Sequence, residues 1–227
     1  IIASFWHGVI SDRQIKSINS YLEKGYEFHL YSYDKIKIAG VKNIDADELI
    51  SKDRISDFPH ISSFADFFRY KMIYETGKIW TDLDMNCLRD LPQRKIIISS
   101  EEMLKKGAFK SNKEYKVCIC FLKLPKGDKM LKAILEWIEK NKDKIKKRTQ
   151  LQDIFDKYCE LFNYYQYVSP PNDFCPIAWC YAKEAMNDDE YMTCPKKSLS
   201  DIKNSSICFH FWNNITKDLS TATSSFF

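Results

Sequence analysis

The chain has 227 residues, of which 44% are hydrophobic, 15% aromatic and 29% charged, so it can bury a sizeable core and lacks the composition of a disordered chain. A net charge of +4 is too weak for a nucleic-acid binder, and suits phosphate-bearing ligands or an anionic membrane surface. No apolar run approaches the ~20 residues of a membrane span, and no secretory leader is visible; a start at Ile1 rather than Met fits a trimmed leader. The eight cysteines contain no C-x-x-C pair, so their spacing suggests neither a disulfide framework nor a zinc site, and a reducing cytoplasm is expected. In that compartment the sequons at Asn204 and Asn214 carry no meaning.

In chain order, "IIASFW" (1–6) predicts a buried first strand. "SDRQIKSINSYLEKG" (11–25) predicts a helix with a Ser11/Gln14 capping box and a stop at Gly25. "YEFHLYSYD" (26–34) alternates like a second strand, giving a β-α-β opening, and an irregular stretch with a short helical turn at "IDADELI" follows. "ISSFADFFRYKMIYETG" (61–77) is a helix by the spacing of Phe64, Phe67, Phe68 and Met72, with Ser62 or Ser63 as its cap and Gly77 as its stop. Strands are expected at Ile79-Trp80, at 96–100 and at 115–124, where Cys118 and Cys120 read as buried thiols. Helices are expected at 127–142, 151–165 and in "IAWCYAKEAM", with a late strand in "SSICFHFWNN" (205–214). The fold class is α/β in a single domain, a mixed and mainly parallel sheet flanked by helices.

The chemistry concentrates in "GKIWTDLDMNCL" (77–88). Two carboxylates two apart on a strand share a face and raise each other's pKa unless a cation neutralises them, so Asp82 and Asp84 point to a hard divalent ion, Mn²⁺ or Mg²⁺. The plain alternative is an acidic turn after a strand. Asp66 and Arg69, one helical turn apart, are either a surface ion pair or, sixteen residues before Asp82, a pair brought beside the same ligand by the helix-turn-strand between them.

"FADFFRYKMIYETGKIWTDLDMNCL" resembles the DXD sugar-binding region of retaining glycosyltransferases of family 32, which is shared with the glucosylating domains of large clostridial toxins. Their pattern is roughly S-D-x-x-R-Y-x-x-L-Y-x-x-G-G-x-Y-x-D-x-D. The chain matches it at Asp66, Arg69, Tyr70, Tyr74, Gly77, Asp82 and Asp84, and departs at Lys78 and Trp80. "ASFWHG" resembles the family's first strand, and "FHFWNN" its terminal H-x-W-N; "CFLKLPKGDKMLKAIL" is a looser likeness to an A-P-x-G-H-P stretch.

The resemblance implies a GT-A-type, Rossmann-like domain, with residues 1–90 as the nucleotide-sugar half and 91–227 as the acceptor half. It implies Asp82, Arg69 and Asp66 as catalytic residues and Asp82, Asp84 and His210 as metal ligands. Trp6, His7, Asp66, Arg69, Tyr70, Asp82 and Trp212 would be substrate-binding, with Trp6 stacked on the nucleobase. The implied donor is a nucleotide-diphosphate sugar, UDP-hexose before GDP-mannose. The acceptor is a glycan or lipid-linked saccharide in surface polysaccharide or glycoprotein glycan synthesis. The basic run "KNKDKIKKR" (140–148) is either a solvated helix end or a peripheral contact with the cytoplasmic membrane face. A toxin-like protein glycosyltransferase and a non-catalytic glycan- or nucleotide-binding relative are the alternatives.

Overall fold

The computed structural model describes residues 1–102, 115–183 and 199–216. The chain opens with β1 (Ile2–Trp6), α1 (Asp12–Leu22), β2 (Phe28–Ser32) and β3 (Val41–Asp45). After two 3₁₀ turns come α2 (Ile61–Thr76), β4 (Ile79–Thr81), β5 (Met85–Cys87), β6 (Ile97–Glu102) and β7 (Tyr115–Lys123). The helices α3 (Lys129–Asn141) and α4 (Gln150–Leu161) follow, and β8 (Cys208–His210) closes the fold.

Six strands form one sheet in the order β3-β2-β1-β4-β7-β6. The pairs β1–β2, β2–β3 and β1–β4 are parallel, and β7 runs antiparallel to both β4 and β6. β1 is central, which is why its apolar run is buried on both faces. β5 and β8 leave this sheet and form a separate antiparallel pair, with Met85 opposite His210 and Cys87 opposite Cys208.

Side-chain alternation along the strands builds two cores, one on each face of the sheet. Ala3, Phe5, Val117 and Ile119 join Phe64, Phe68 and their neighbours beneath α2, α3 and α4. Ile2, Cys118 and Cys120 join Ile18 and Tyr21 of α1 on the other face. No helix of the described residues is long and apolar enough to cross a membrane.

Several expectations are corrected. The stretch after β2 contains the edge strand β3, whose largely exposed residues give no hydrophobic signal. His60, not Ser62 or Ser63, precedes α2; both serines lie inside the helix, where their hydroxyls are buried without a partner. α4 stops at Leu161. The helix expected at "IAWCYAKEAM" begins as a 3₁₀ turn at Trp179–Tyr181, and its end lies outside the described residues. The late strand shortens to three residues and gives way to a helical turn at Asn213–Thr216.

The capping box is present, with the Ser11 backbone N–H donating to Gln14 Oε1 at 2.9 Å. Gly77 does end α2, at φ +68, where a Cβ would sit 3.0 Å from the Lys126 backbone nitrogen. Lys78, in place of a second glycine, is accommodated by donating from Nζ to the Tyr31 hydroxyl at 2.7 Å.

Candidate active site

The parallel strands β1, β2 and β4 end along one edge of the sheet, and the residues singled out from the sequence are carried there. In open α/β sheets that edge is where ligands bind. Asp82 and Asp84 do not lie along a strand as expected. β4 ends at Thr81, and the chain turns through residues 82–84 into β5. The turn is pinned by the Asp82 N–H donating to the Cys120 carbonyl at 2.8 Å. It brings the two carboxylates together by a reversal of the backbone, not by strand periodicity.

Arg69 lies between the two carboxylates of its own half. From α2 it donates through Nη1 to Asp66 Oδ1 at 2.9 Å and through Nη2 to Asp82 Oδ1 at 2.6 Å, and all three residues are largely withdrawn from water. The Trp80 indole N–H donates to the same Asp82 oxygen at 2.7 Å, and the guanidinium stands 4.8 Å from the centre of the Trp80 ring. Burial pushes the Asp66 carboxyl up to about 7, against the pull of Arg69. Burial also raises Asp82, opposed by Arg69 and reinforced by Asp84. Burial alone would lower Arg69, but the two carboxylates outweigh it and hold the guanidinium well above its ordinary value.

Asp84 belongs to a different neighbourhood. Its Oδ1 lies 3.3 Å from His210 Nε2, and its Oδ2 accepts the Asn213 backbone N–H at 2.7 Å. Its own carbonyl accepts the Phe211 N–H at 2.8 Å. Burial disfavours the Asp84 carboxylate, yet His210 and these hydrogen bonds bring its pKa below the ordinary value. Burial likewise disfavours the His210 imidazolium, and Asp84 more than reverses that. Arg13 of α1 ties down the turn that follows, donating to Asn213 Oδ1 at 3.2 Å and Thr216 Oγ1 at 2.9 Å. Ligand atoms of Asp82, Asp84 and His210 all lie within 4.8 Å of one another.

Trp212 stands beside this group, its ring centre 4.0 Å from that of His210 and its backbone at φ +53, a left-handed conformation that is strained for a bulky residue. Its indole N–H donates to the Ile177 carbonyl at 2.9 Å. Trp6 ends β1 on the same sheet edge and His7 follows it, but no described hydrogen bond or ion pair joins them to Asp82 or Asp84. Trp6 donates to the Val9 carbonyl at 3.1 Å, and His7 Nδ1 lies 3.2 Å from Asp34 Oδ2.

Tyr70 is a correction. It is wholly buried, stacked on Phe155, with its hydroxyl given to the Leu151 carbonyl at 3.0 Å, so it serves the core and not the ligand. Sequence reasoning missed the hydrogen-bonding roles of Trp80, Asn213 and Arg13. The W-x-D spacing of Trp80 and Asp82 was the only local signal among these.

Comparison with known proteins agrees with this geometry. Residues 9–104 match the family described as "Glycosyltransferase sugar-binding region containing DXD motif". Among solved structures, the chain is similar to one titled "PaToxG Glycosyltransferase", with a TM-score of 0.50 and 15% identity over 73% of each chain, a likeness of fold. No curated protein sequence matches. The mixed α/β architecture expected from the sequence is therefore similar to that of a solved glycosyltransferase.

Proposed function

We propose that this chain, whose residues 9–104 match a glycosyltransferase sugar-binding region containing a DXD motif, transfers a hexose from a nucleotide-diphosphate sugar to a saccharide on a glycan or lipid carrier. A UDP-sugar is the first donor to test and GDP-mannose the second. The observation that carries this reading is the convergence of Asp82, Asp84 and His210 beside a buried arginine. Two carboxylates and an imidazole suit Mn²⁺ or Mg²⁺, and Asp82 keeps Oδ2 out of hydrogen bonds to the described residues. When bound, such an ion would supply Lewis-acid stabilisation of the charge that builds on a departing diphosphate.

The chain's own residues have separable roles. Arg69, held by Asp66, fixes the orientation of Asp82 and brings positive charge to the point where sugar and phosphate oxygens would lie. Asp82 Oδ2 accepts from a sugar or ribose hydroxyl or reaches the ion. Asp84, fixed by the Asn213 N–H, is the oxygen ligand of the C-terminal side. Trp6, half-buried at the end of β1, offers a ring for the nucleobase, and Trp212 closes the opposite wall. Retention of anomeric configuration follows from the family resemblance, by front-face attack of the acceptor hydroxyl. The exposed lysines at 144, 146 and 147 and the exposed Leu161 suit contact with an anionic membrane carrying a lipid-linked acceptor.

The test is thermal stabilisation by UDP- and GDP-sugars with and without Mn²⁺. A Mn²⁺-dependent rise in Tm with one nucleotide family, reduced about a hundredfold in apparent affinity by Asp84→Asn, supports the reading. A folded protein that responds to no donor in the panel overturns it.

A further inference from the structure

Behind the aspartates, on the α1 side of the sheet, three thiols and one imidazole nitrogen converge. Cys118 and Cys120 are two apart on β7 and so share a face. Cys175 follows the helical turn Pro171–Phe174, and His210 lies on β8. The Sγ atoms of Cys120 and Cys175 are 3.4 Å apart, Cys175 Sγ is 3.8 Å from His210 Nδ1, and the four ligand atoms all lie within 4.8 Å of one another. All four residues are buried, the most exposed being His210 at 6%.

We propose that these residues form a structural zinc site, Cys₃His, with His210 bound through Nδ1. A tetrahedral ion with Zn–S bonds of about 2.3 Å has S···S edges of roughly 3.8 Å, close to the separations seen here. Three thiolates and an imidazole are the donor set of closed zinc sites, and binding would release the thiol protons together with the Nδ1 proton of His210. A core packed only with small apolar groups gives no reason to turn an imidazole nitrogen toward sulfur. Nδ1 faces only sulfur among the described contacts, with the Cys175 thiol 3.8 Å away, and thiols are weak hydrogen-bonding partners. A disulfide would use two of the thiols and leave the third beside the imidazole.

The second ring nitrogen links this site to the aspartates. With Nδ1 on zinc, the proton resides on Nε2 and is donated to Asp84 Oδ1, 3.3 Å away. That is the carboxylate–histidine–zinc arrangement, in which an outer carboxylate sets the tautomer and ring orientation. His210 then positions Asp84 instead of binding the hard ion, which narrows the ligand set of the proposed donor site from Asp82, Asp84 and His210 to the two carboxylates. This last link rests on the glycosyltransferase reading; the zinc site itself does not. The site would also fasten the short β5–β8 pair to β7 and to the loop carrying Cys175, which explains how three paired residues can hold His210 in register.

The experiment is metal analysis of the full chain purified without added metal or chelator. About one zinc per chain is expected, retained in Asp82→Asn/Asp84→Asn and lost, with a fall in Tm, in Cys175→Ser. Cobalt(II) exchanged into the wild-type protein should give thiolate charge-transfer bands and the strong visible absorption of a tetrahedral site, so the outcome does not depend on a cysteine variant that folds. A folded, metal-free wild type overturns the proposal, as does a Cys120–Cys175 disulfide in the reduced preparation. So does zinc that disappears with the aspartates and persists without Cys175. Because none of these readouts uses a donor sugar, the zinc site and the transferase reading fail independently.

Discussion

Asp66, Arg69, Trp80 and Asp82 lie within seventeen consecutive residues, whereas the groups around Asp84 are drawn from positions 13, 84, 210 and 213. The near-sequence half is assembled by one helix and the strand that returns from it, and its buried carboxylates are neutralised by a guanidinium that stays charged at every working pH. The long-range half depends on the pairing of β5 with β8, and the group that balances Asp84, His210, titrates; on β6 the buried Glu101, for which no ion pair is described, interacts with the same imidazole. Burial and the neighbouring Cys118 raise Glu101 to about 8, with Lys116 pulling the other way. The contrast suggests a division of labour. The local half is a frame held by a permanently charged guanidinium, although Asp66 within it is raised to about 7, whereas the remote half is held by a group, His210, whose own charge depends on pH.

The strongest way to break that picture is Arg69→Ala. It removes the charge between two buried carboxylates and should cost about 3–5 kcal/mol of stability, because Asp66 and Asp82 are left uncompensated. Arg69→Lys keeps the charge but not the two-armed geometry, so it should recover part of the stability and less of the donor binding. Denaturant unfolding of both variants checks this. Equal stability in wild type and Arg69→Ala would mean that the local half is no electrostatic frame.

Glu101→Gln probes the other half, with the opposite sign. A carboxyl whose pKa rises from 4.5 to about 8 on folding contributes stability that is complete below the unfolded value and is lost as pH rises through the folded one. Glutamine mimics the protonated form at all pH. The variant should therefore gain on wild type as pH rises, by up to about 4 kcal/mol between about pH 5 and about pH 9. A difference independent of pH, read from denaturant midpoints, would show that Glu101 is ionised in the native state.

The same division explains what the sequence reveals. The helix, the strand and the D-x-x-R and D-x-D spacings are local, so periodicity and turn signals bring Asp66, Arg69 and Asp82 together correctly. Tyr70 sits in the same motif, but spacing alone cannot tell a core tyrosine from one that faces a ligand; the packing of α4 against α2 decides it. His210 entered only through resemblance, since no local pattern says that β8 will pair with β5. The convergence of Cys118, Cys120 and Cys175 is less visible still. Cys175 is fifty-five residues beyond Cys120, and a spacing argument discards the set that the fold assembles.

Trp80→Phe is the finest test, because it touches the local frame without altering its charge. The indole N–H shares Asp82 Oδ1 with Arg69, so its loss leaves that oxygen still bonded and should cost about 1 kcal/mol. The smaller ring adds a cavity cost and weakens the contact with the guanidinium, bringing the total to roughly 2 kcal/mol. If the indole only packs, donor affinity at a fixed fraction of folded protein will be unchanged. If it holds Asp82 at the angle where Oδ2 meets the donor, affinity should fall about tenfold while Tm moves only a few degrees. Titrating the donor at a temperature well below both melting transitions separates the two, since a purely structural loss cannot appear where both proteins are fully folded. A tenfold loss there would make Trp80, one of the two positions at which this chain departs from the DXD-region pattern that it resembles, part of the frame that aims Asp82.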